Sequence, residues 1–162
     1  MTIIVLMGVA GSGKTTVGQA LATHLGWEFL EGDQLHSPEN RAKMARGQPL
    51  SDDERKPWLL ALATHIRSHL RRKSPLIVAC SALKASYRAL VLLSADVKLV
   101  YLRADQKLIE ERLQNRTDHF FSPQLIASQF ATLEEPKEAL TLSSCAPLPD
   151  LVAAICTHFG LD

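Results

Sequence analysis

A glycine-rich stretch at residues 8–15, GVAGSGKT, constrains the fold more than any other part of the sequence. It follows an apolar run at residues 3–7 and precedes apolar residues at helical spacing, so the pattern predicts a strand, a loop and a helix. The spacing G-x-x-x-x-G-K-[ST] is that of a phosphate-binding loop. Its glycines allow backbone turns that side chains would block, so several N–H groups can face one phosphate beside the positive end of the helix dipole.

Two side chains of this loop have predicted roles of their own. Lys14 supplies a mobile positive charge for the β- and γ-phosphates of a nucleotide, and the hydroxyl of Thr15 is a ligand for Mg²⁺. An ordinary glycine-rich turn is the alternative interpretation, but it gives no reason for Lys-Thr at this point. We therefore expect ATP to be bound by Gly8, Val9, Ala10, Gly11, Ser12, Gly13, Lys14, Thr15 and Thr16.

Length and composition exclude several classes of protein. The 162 residues suit one domain, 1–162, with a single core, and a net charge of +1 argues against a general nucleic-acid binder. The three cysteines are scattered, which fits reduced thiols in a cytosol rather than a disulfide framework or a zinc site. With no basic leader and no apolar run of ~20 residues, we expect a cytoplasmic protein that makes no membrane contact.

Apolar runs and helical patterns alternate along the rest of the chain. Helices are predicted between the strands, and the longest spans about 54–72, because apolar residues recur there at four-residue steps. Alternating strands and helices indicate an α/β fold with a parallel sheet and helices on both faces. The predicted strands lie at about 2–7, 27–30, 76–80, 97–102 and 139–142.

Two acidic residues, Glu31 and Asp33, follow the second predicted strand. In open α/β sheets, ligands gather beyond the carboxyl ends of the strands, where these acids would face the phosphate-binding loop. Asp33 is the best candidate for a base that accepts or orients the proton of an attacking hydroxyl, and Glu31 is placed to order waters on Mg²⁺. A simple acidic turn is the alternative.

Missing motifs narrow the kind of phosphate-binding protein. The guanine motif N-K-x-D is absent, and the later strands run into Ser81 and Arg103. Motor-type and AAA-type ATPases would normally have an acidic residue at such a position. The acids after the second strand instead favour a small kinase of the nucleoside-monophosphate kinase type.

A set of basic residues lies near the predicted carboxyl edge of the sheet. Each of them has the alternative of being a solvated surface charge, but several together predict a pocket for an anionic acceptor. We expect a helix to open at Ser81 after the third strand, and Lys84 and Arg88, four residues apart, to share one of its faces. The set contains Arg41, Lys43, Arg46, Arg55, Lys56, Lys84 and Arg88.

A second basic pair, Arg112 and Arg116, leads into a loop that contains His119 and two phenylalanines. We expect a lid at about 116–123 that closes over ATP, because guanidinium groups suit the charge that spreads over the phosphoryl oxygens. The alternatives are a helix end where cations match the dipole, and a structural rather than catalytic His119.

Four further segments, together with the loop, resemble the bacterial-type gluconokinase family. They are EGDQLHSPENRAKMARGQPLSDDERKPWL, CSALKASYR, ERLQNRTDHFF and SQFATLEEP, so the resemblance covers nearly the whole chain to about Pro136. It implies a three-layer P-loop kinase fold, similar to shikimate and adenylate kinases, with a parallel five-stranded sheet in the order 2-3-1-4-5 and a lid. It also implies ATP-dependent phosphorylation of D-gluconate to 6-phospho-D-gluconate, with Mg²⁺, by a cytoplasmic homodimer.

The resemblance assigns roles to single residues. The expected catalytic residues are Lys14, Asp33 and Arg116. The expected metal residues are Thr15 and, through a water molecule, Glu31. Further contacts with ATP are expected from Arg112 and Arg116. The segment from Leu140 to Pro149 matches the family only weakly, and we expect it to contact adenine. The acceptor side is expected to include Asp33, His36, Arg41, Lys43, Arg55, Lys84, Arg88 and His119.

Two positions depart from the family pattern. Glu31 stands where family members often have Asp, and its longer carboxylate still reaches a metal-bound water. Asp118 stands where the family usually has Gly before the histidine, and Asp tolerates positive φ better than most residues.

Two other functions stay open at this point. One is a kinase for a related small acceptor, such as shikimate or a nucleoside monophosphate. The other is a nucleotide-binding module that transfers no phosphate and works through a partner. The second of these functions is disfavoured by the combination of Lys14, Thr15 and Asp33, because nucleotide binding alone does not require all three residues.

Overall fold

A five-stranded parallel sheet forms the centre of the computed structural model, which describes residues 1–115 and 122–162. The strand order is β2-β3-β1-β4-β5, and all four neighbouring pairs are parallel. The predicted sheet and its order are confirmed. The strands are β1 (Ile3–Met7), β2 (Glu28–Glu31), β3 (Leu76–Ala79), β4 (Val97–Arg103) and β5 (Leu140–Ser143).

Helices connect the strands and cover both faces of the sheet. A 3₁₀ helix, Gly32–Leu35, follows β2 directly. The α-helices are α1 (Lys14–Leu25), α2 (Pro38–Ala45), α3 (Asp52–Arg72), α4 (Ala85–Val91), α5 (Gln106–Gln114), α6 (Pro123–Thr132) and α7 (Leu148–Phe159).

Strand β1 is fully buried and divides the core into two layers. Because side chains alternate along a strand, Ile3, Val5 and Met7 pack against α3 and α4, while Ile4 and Leu6 pack against α1 and α7. Each such side chain contributes about 1.5–3 kcal/mol when fully buried. The two layers hold the central strand rigidly, and the phosphate-binding loop leaves from its carboxyl end.

Helix α3 begins where its sequence signals place it. The side chain of Ser51 accepts a hydrogen bond from the Glu54 backbone N–H, and the Glu54 carboxylate accepts one from the Ser51 backbone N–H. This reciprocal capping box satisfies N–H groups that the first turn would leave unpaired. Ser51 is thus the N-cap of α3, and the helix then carries its apolar face into the core.

The helix after β3 begins later than predicted. Ala82 has a φ of 44°, Lys84 is extended at the N-cap, and α4 starts at Ala85 rather than near Ser81. The expectation that Lys84 and Arg88 share one helix face is therefore wrong, because Lys84 precedes the helix. The extended stretch instead brings Ser81 to the phosphate-binding loop, where its carbonyl accepts from the Gly8 N–H at 3.3 Å.

Several other sequence expectations have a structural outcome. No helix in the described ranges combines the length and apolar character needed to cross a membrane. The cysteines at 80, 145 and 156 are free thiols. Most of the expected lid, including Arg116, Asp118 and His119, lies outside the described residues.

Candidate active site

The loop between β1 and α1 has the backbone that a phosphate-binding loop needs. Gly11 and Gly13 have φ values of 79° and 99°, in the left-handed region that favours glycine. Gly13 directly precedes α1, so the loop runs into the positive N-terminal end of that helix. The local sequence thus directs backbone N–H groups and the helix dipole toward one place.

Lys14 is held against this loop. Its ammonium donates to the backbone carbonyls of Gly8 and Val9, at 2.9 Å each. Burial lowers the pKa of Lys14, and the negative charges of Asp33 and Glu31 act in the opposite direction. The amine is therefore held at the loop, with two carboxylates nearby.

Glu31 and Asp33 lie beside the loop because β2 ends there. Gly32 separates them, and a Cβ at that position would lie 2.4 Å from the carbonyl oxygen of Ala79, so only glycine lets the 3₁₀ helix pack this closely on β3. The Nε1 group of Trp58 donates to the Gly32 carbonyl at 2.8 Å. The two acids are thus placed by a backbone turn that is fixed from both sides.

The hydroxyl of Thr15 donates a hydrogen bond to the Glu31 carboxylate. The two residues expected to serve Mg²⁺ are therefore in contact, although they lie 16 positions apart in sequence. Mg²⁺ typically binds one or two carboxylates together with substrate phosphates and waters, and this pair beside a phosphate-binding loop fits that chemistry.

One cavity brings the donor and acceptor candidates together. Lys14, Thr15, Asp33, His36 and Arg55 all line it. The remaining walls are largely apolar or aromatic and come from several elements of the fold. They include Met44, Leu50, Trp58, Leu83, Tyr87 and Leu125, together with Ser81 and Gln129.

His36 is buried against Trp58, with ring centroids 4.1 Å apart and an interplanar angle of 21°. Burial lowers the pKa of His36, and the charge of Asp33 acts in the opposite direction. Within the described part of the chain, its Nδ1 atom has no hydrogen-bond partner. A neutral imidazole in this position is able to hydrogen-bond a hydroxyl group in the cavity.

A charged cluster lies at the acceptor end of the cavity. Arg55 donates to the Tyr87 hydroxyl at 2.8 Å, and the Lys84 ammonium contacts the Asp52 carboxylate at 3.2 Å. The Tyr87 hydroxyl donates to the same carboxylate. Because one acid here faces two cations, Arg55 and Lys84 keep net positive charge at this end of the cavity.

Among the described residues, Lys84 and the remaining basic candidates do not line this cavity. Arg41 is exposed on α2. Lys43 pairs with Glu54 at 2.8 Å, and this contact lowers the pKa of Glu54 to about 2. Arg88 is buried and donates to two consecutive backbone carbonyls in the turn after β3, at 3.0 Å each. Lys43 and Arg88 thus hold local structure beside the site.

Arg112 joins the phosphate-binding loop to the segment after β5. Its guanidinium donates to the Gly11 carbonyl at 2.9 Å and to both the side chain and the backbone carbonyl of Ser144 at 2.7 Å. The Ser144 hydroxyl donates in turn to the Ser12 carbonyl at 2.6 Å. A second cavity opens here, lined by Gly13, Thr16, Val17, Ala146, Leu148 and Leu151 as well.

Comparison with known proteins identifies the family. A family model described as an AAA domain matches residues 3–137. The gluconokinase of Gluconobacter oxydans (strain 621H) is 46% identical, and the match covers 98% of this chain and 92% of that protein. The chain belongs to the gluconokinase family.

Solved structures related to this gluconokinase-family chain agree in fold. A gluconokinase from Sinorhizobium meliloti 1021 superposes with a TM-score of 0.84 at 38% identity, over 98% of this chain and 95% of that one. An unliganded sugar kinase from Janibacter sp. HTCC2649 reaches a TM-score of 0.92 at 38% identity, over 99% and 95% of the two chains. The predicted P-loop kinase fold is therefore confirmed, and the chain is an enzyme of the gluconokinase family.

The ends of the later strands agree with the kinase type that the sequence predicts. The chain enters Cys80 and Ser81 after β3, and β4 ends at Arg103, so neither strand ends in an acid. The chain is a kinase of the gluconokinase family, as the missing acids predict, and the family model described as an AAA domain matches it over residues 3–137. In this gluconokinase-family chain the acid at a strand end is Glu31, on β2.

Three side chains complete the site without having been expected in these roles. From the sequence alone, Trp58 is a core residue of α3. Ser144 belongs to a segment that matches the family weakly, and Gln129 is one polar residue of a helix. Gln129 accepts a hydrogen bond from the Ala10 backbone N–H at 2.7 Å. The gluconokinase-like segment SQFATLEEP indicated that this helix belongs to the family pattern. It does not indicate that Gln129 contacts Ala10, 119 positions away.

Proposed function

We propose that the cavity between the phosphate-binding loop and the 3₁₀ helix is where this gluconokinase-family chain transfers the γ-phosphoryl group of ATP to D-gluconate. The products are ADP and 6-phospho-D-gluconate. The observation that carries this proposal is the meeting of Lys14 and Thr15 with Asp33, His36 and Arg55 in one cavity. The family identity of the chain specifies gluconate as the acceptor.

The donor side is the loop at residues 8–16. Its backbone N–H groups and the Lys14 ammonium bind the β- and γ-phosphates, because Lys14 is held against a loop that runs into the N-terminal end of α1. The second cavity, which Thr16 and Ser144 line, is the proposed place of the nucleoside. Arg112 holds the two sides of that cavity together through its contacts with Gly11 and Ser144.

Thr15 and Glu31 are the proposed metal residues. Their direct contact places one hydroxyl and one carboxylate beside the phosphates, which fits a cation that is shared with the nucleotide. When bound, Mg²⁺ neutralises charge on the β- and γ-phosphates. Glu31 acts through a metal-bound water, and its contact with Thr15 keeps its carboxylate at the loop.

Asp33 is the proposed general base. The C6 hydroxyl of gluconate must lose its proton as it attacks the γ-phosphorus, and a carboxylate in the same cavity as Lys14 can accept or orient that proton. Phosphoryl transfer depends chiefly on positioning and on electrostatic stabilisation, so the fixed 3₁₀ turn that carries Asp33 matters as much as its charge.

The rest of the acceptor side recognises an acidic polyol. Arg55 and Lys84 supply positive charge for the gluconate carboxylate, and the His36 imidazole hydrogen-bonds a gluconate hydroxyl. Arg41, on α2, adds to the positive potential of this side, and Lys43 contributes by holding Glu54 at the start of α3. Arg88 contributes by holding the turn that precedes Lys84.

Arg116 and His119 complete the proposal from the lid, which lies outside the described residues. We assign Arg116 to the charge of the transferring phosphoryl group and His119 to the acceptor. We further propose a single-domain cytoplasmic protein, active as a homodimer. The family resemblance supports these assignments, and light scattering on the purified protein tests the dimer.

A coupled assay with an acceptor panel tests the proposed function. Purified protein, ATP and Mg²⁺ are supplied with D-gluconate, shikimate or a nucleoside monophosphate, and ADP release is followed. We expect acceptor-dependent turnover with D-gluconate alone. Phosphorylation of another acceptor would overturn the substrate assignment, and tight ATP binding without acceptor-dependent ADP release would overturn the transfer reaction.

A further inference from the structure

We propose that Gln129 is a positioning residue for phosphoryl transfer. Its side chain ties α6 to the phosphate-binding loop at Ala10, and its Nε2 amino group faces the oxygens of the transferred phosphoryl group. The inference rests on the proposed function. It concerns a residue of the helix that follows the lid segment, and it starts from one hydrogen bond.

That bond joins the Ala10 backbone N–H to the Oε1 atom of Gln129 at 2.7 Å. Since an amide nitrogen cannot accept a hydrogen bond, the N–H of Ala10 determines which end of the Gln129 amide faces the loop. Nε2 therefore lies on the other side of the amide, away from the Ala10 nitrogen. The orientation of this side chain follows from chemistry and not from a choice between two equivalent ends.

The Nε2 group of Gln129 is available to a ligand. Within residues 1–115 and 122–162 it donates to no protein atom, and Gln129 lines the same cavity as Ala10, Lys14 and Asp33. A half-buried amide donor beside a phosphate-binding loop suits phosphoryl oxygens, because these are the acceptors that the loop brings to this wall of the cavity.

Helix α6 holds Gln129 firmly in place. Ser122 caps its first turn by accepting from the Leu125 N–H at 3.2 Å, and Ile126 packs in a cluster with Val9 of the loop. Just past its C-terminal end, the Glu134 backbone N–H donates to a backbone carbonyl of the turn after β3 at 2.8 Å. A side chain on a helix that is anchored along its length can position a reacting group accurately.

The same helix reaches the acceptor side. A Cβ at Gly47, just after α2, would lie 2.4 Å from the Ser122 hydroxyl, so the start of α6 packs closely on the end of α2. One end of α6 thus meets the acceptor helix, and Gln129 meets the donor loop. Helix α6 therefore spans the two halves of the site.

The decisive variant is Gln129→Glu. One oxygen of the introduced carboxylate still accepts a hydrogen bond from the Ala10 N–H. The other oxygen takes the place of the Nε2 donor and adds negative charge next to the phosphates. We expect kcat with D-gluconate to fall about 10-fold or more, with a thermal midpoint close to that of the unchanged protein. Gln124→Glu is the matched control, because it makes the same change at an exposed position of α6. It should leave kcat unchanged.

A pH series separates positioning from a structural effect. As pH falls toward the ordinary carboxyl pKa, about 4.3, the carboxyl group introduced by Gln129→Glu takes up a proton and regains a donor, so the ratio of kcat in the variant to kcat in the unchanged protein should rise. A purely structural lesion gives a flat ratio. A flat ratio, or a kcat within twofold of the unchanged protein, would overturn the role of Nε2.

Gln129→Met tests the tether to the loop, since it keeps the length and removes both polar ends. We expect ATP to bind about fivefold more weakly by calorimetry, with no acceptor present. Unchanged ATP affinity would overturn the tether. If the unchanged protein does not phosphorylate D-gluconate, the proposed function fails, and the calorimetric result still decides whether Gln129 is a tether. If the unchanged protein phosphorylates D-gluconate and all variants match it, only the inference about Gln129 fails.

Discussion

The donor loop, residues 8–16, and the acceptor segment, residues 31–59, are built by different means. The donor loop uses consecutive backbone groups at the end of one buried strand, and Lys14 is held by carbonyls of the loop itself. The acceptor segment uses side chains from the 3₁₀ helix and α3, completed by Lys84 and Tyr87 from another part of the chain. The backbone of the phosphate-binding loop is thus a local property of the chain, whereas acceptor recognition is a property of the assembled fold.

This difference predicts how variants on the two sides divide their effects. A donor-loop variant should weaken every reaction that uses ATP, whichever acceptor is present. An acceptor-side variant should change the response to gluconate and leave ATP binding intact. The first three of the following predictions test this division, and the fourth tests the burial of His36 on the acceptor side; they run from the largest expected effect to the smallest.

Lys14→Ala should have the largest effect. Removing the ammonium takes away both a phosphate contact and stabilisation of the transferring charge, so kcat/KM should fall by about 10³-fold or more. ATP affinity should fall in calorimetry even without gluconate. Lys107→Ala, at an exposed position of α5, is the control and should be silent. An unchanged ATP affinity in Lys14→Ala would contradict the assignment of the donor loop.

Asp33→Asn should lower kcat by roughly 10²-fold or more, because the amide no longer accepts the hydroxyl proton. ATP affinity should change little, since Asp33 belongs to the acceptor segment. The exposed Asp53 of α3 provides the matched change, Asp53→Asn, which we expect to be neutral. A near-normal kcat in Asp33→Asn would reduce this residue to a positioning role.

Arg55→Ala should raise KM for gluconate by about 10-fold or more and leave KM for ATP unchanged, because a charge-assisted contact to the carboxylate is lost. The exposed Arg67 lies on the same helix, so Arg67→Ala controls for the loss of a cation from α3. Steady-state kinetics with each substrate varied in turn make the measurement. Equal rises in both KM values would break the division between the two sides.

The smallest effect concerns pH and His36. Because the folded-state pKa of His36 is lowered from 6.5, the unfolded chain binds a proton first as pH falls, so stability is full above 6.5 and declines below it. His36→Gln should flatten this decline in urea unfolding measured between about pH 7.5 and 5.5. His65→Gln, at an exposed site on α3, should retain the decline. An identical pH dependence in both variants would contradict burial as the cause.

The same division governs how much of the site follows from sequence. The loop at 8–15, the acids after β2 and the strand order were all predicted, and the sheet and its order are confirmed. Lys84 and Arg88 show the limit of local reasoning. A four-residue spacing predicts a shared face only if both residues lie in one helix, and the positive φ of Ala82 delays the start of α4 past Lys84.

By itself, the sequence determined the phosphate-binding loop, the alternation of strands and helices, and the positions of the acids, because each depends on neighbours along the chain or on a regular repeat. Only the tertiary structure decided which basic residues reach the cavity, and that Gln129 meets Ala10 across 119 positions. The physical reason is that the parallel sheet gathers strand ends from distant parts of the chain at one edge. Contacts made there depend on packing between elements, which leaves no periodic trace in the sequence.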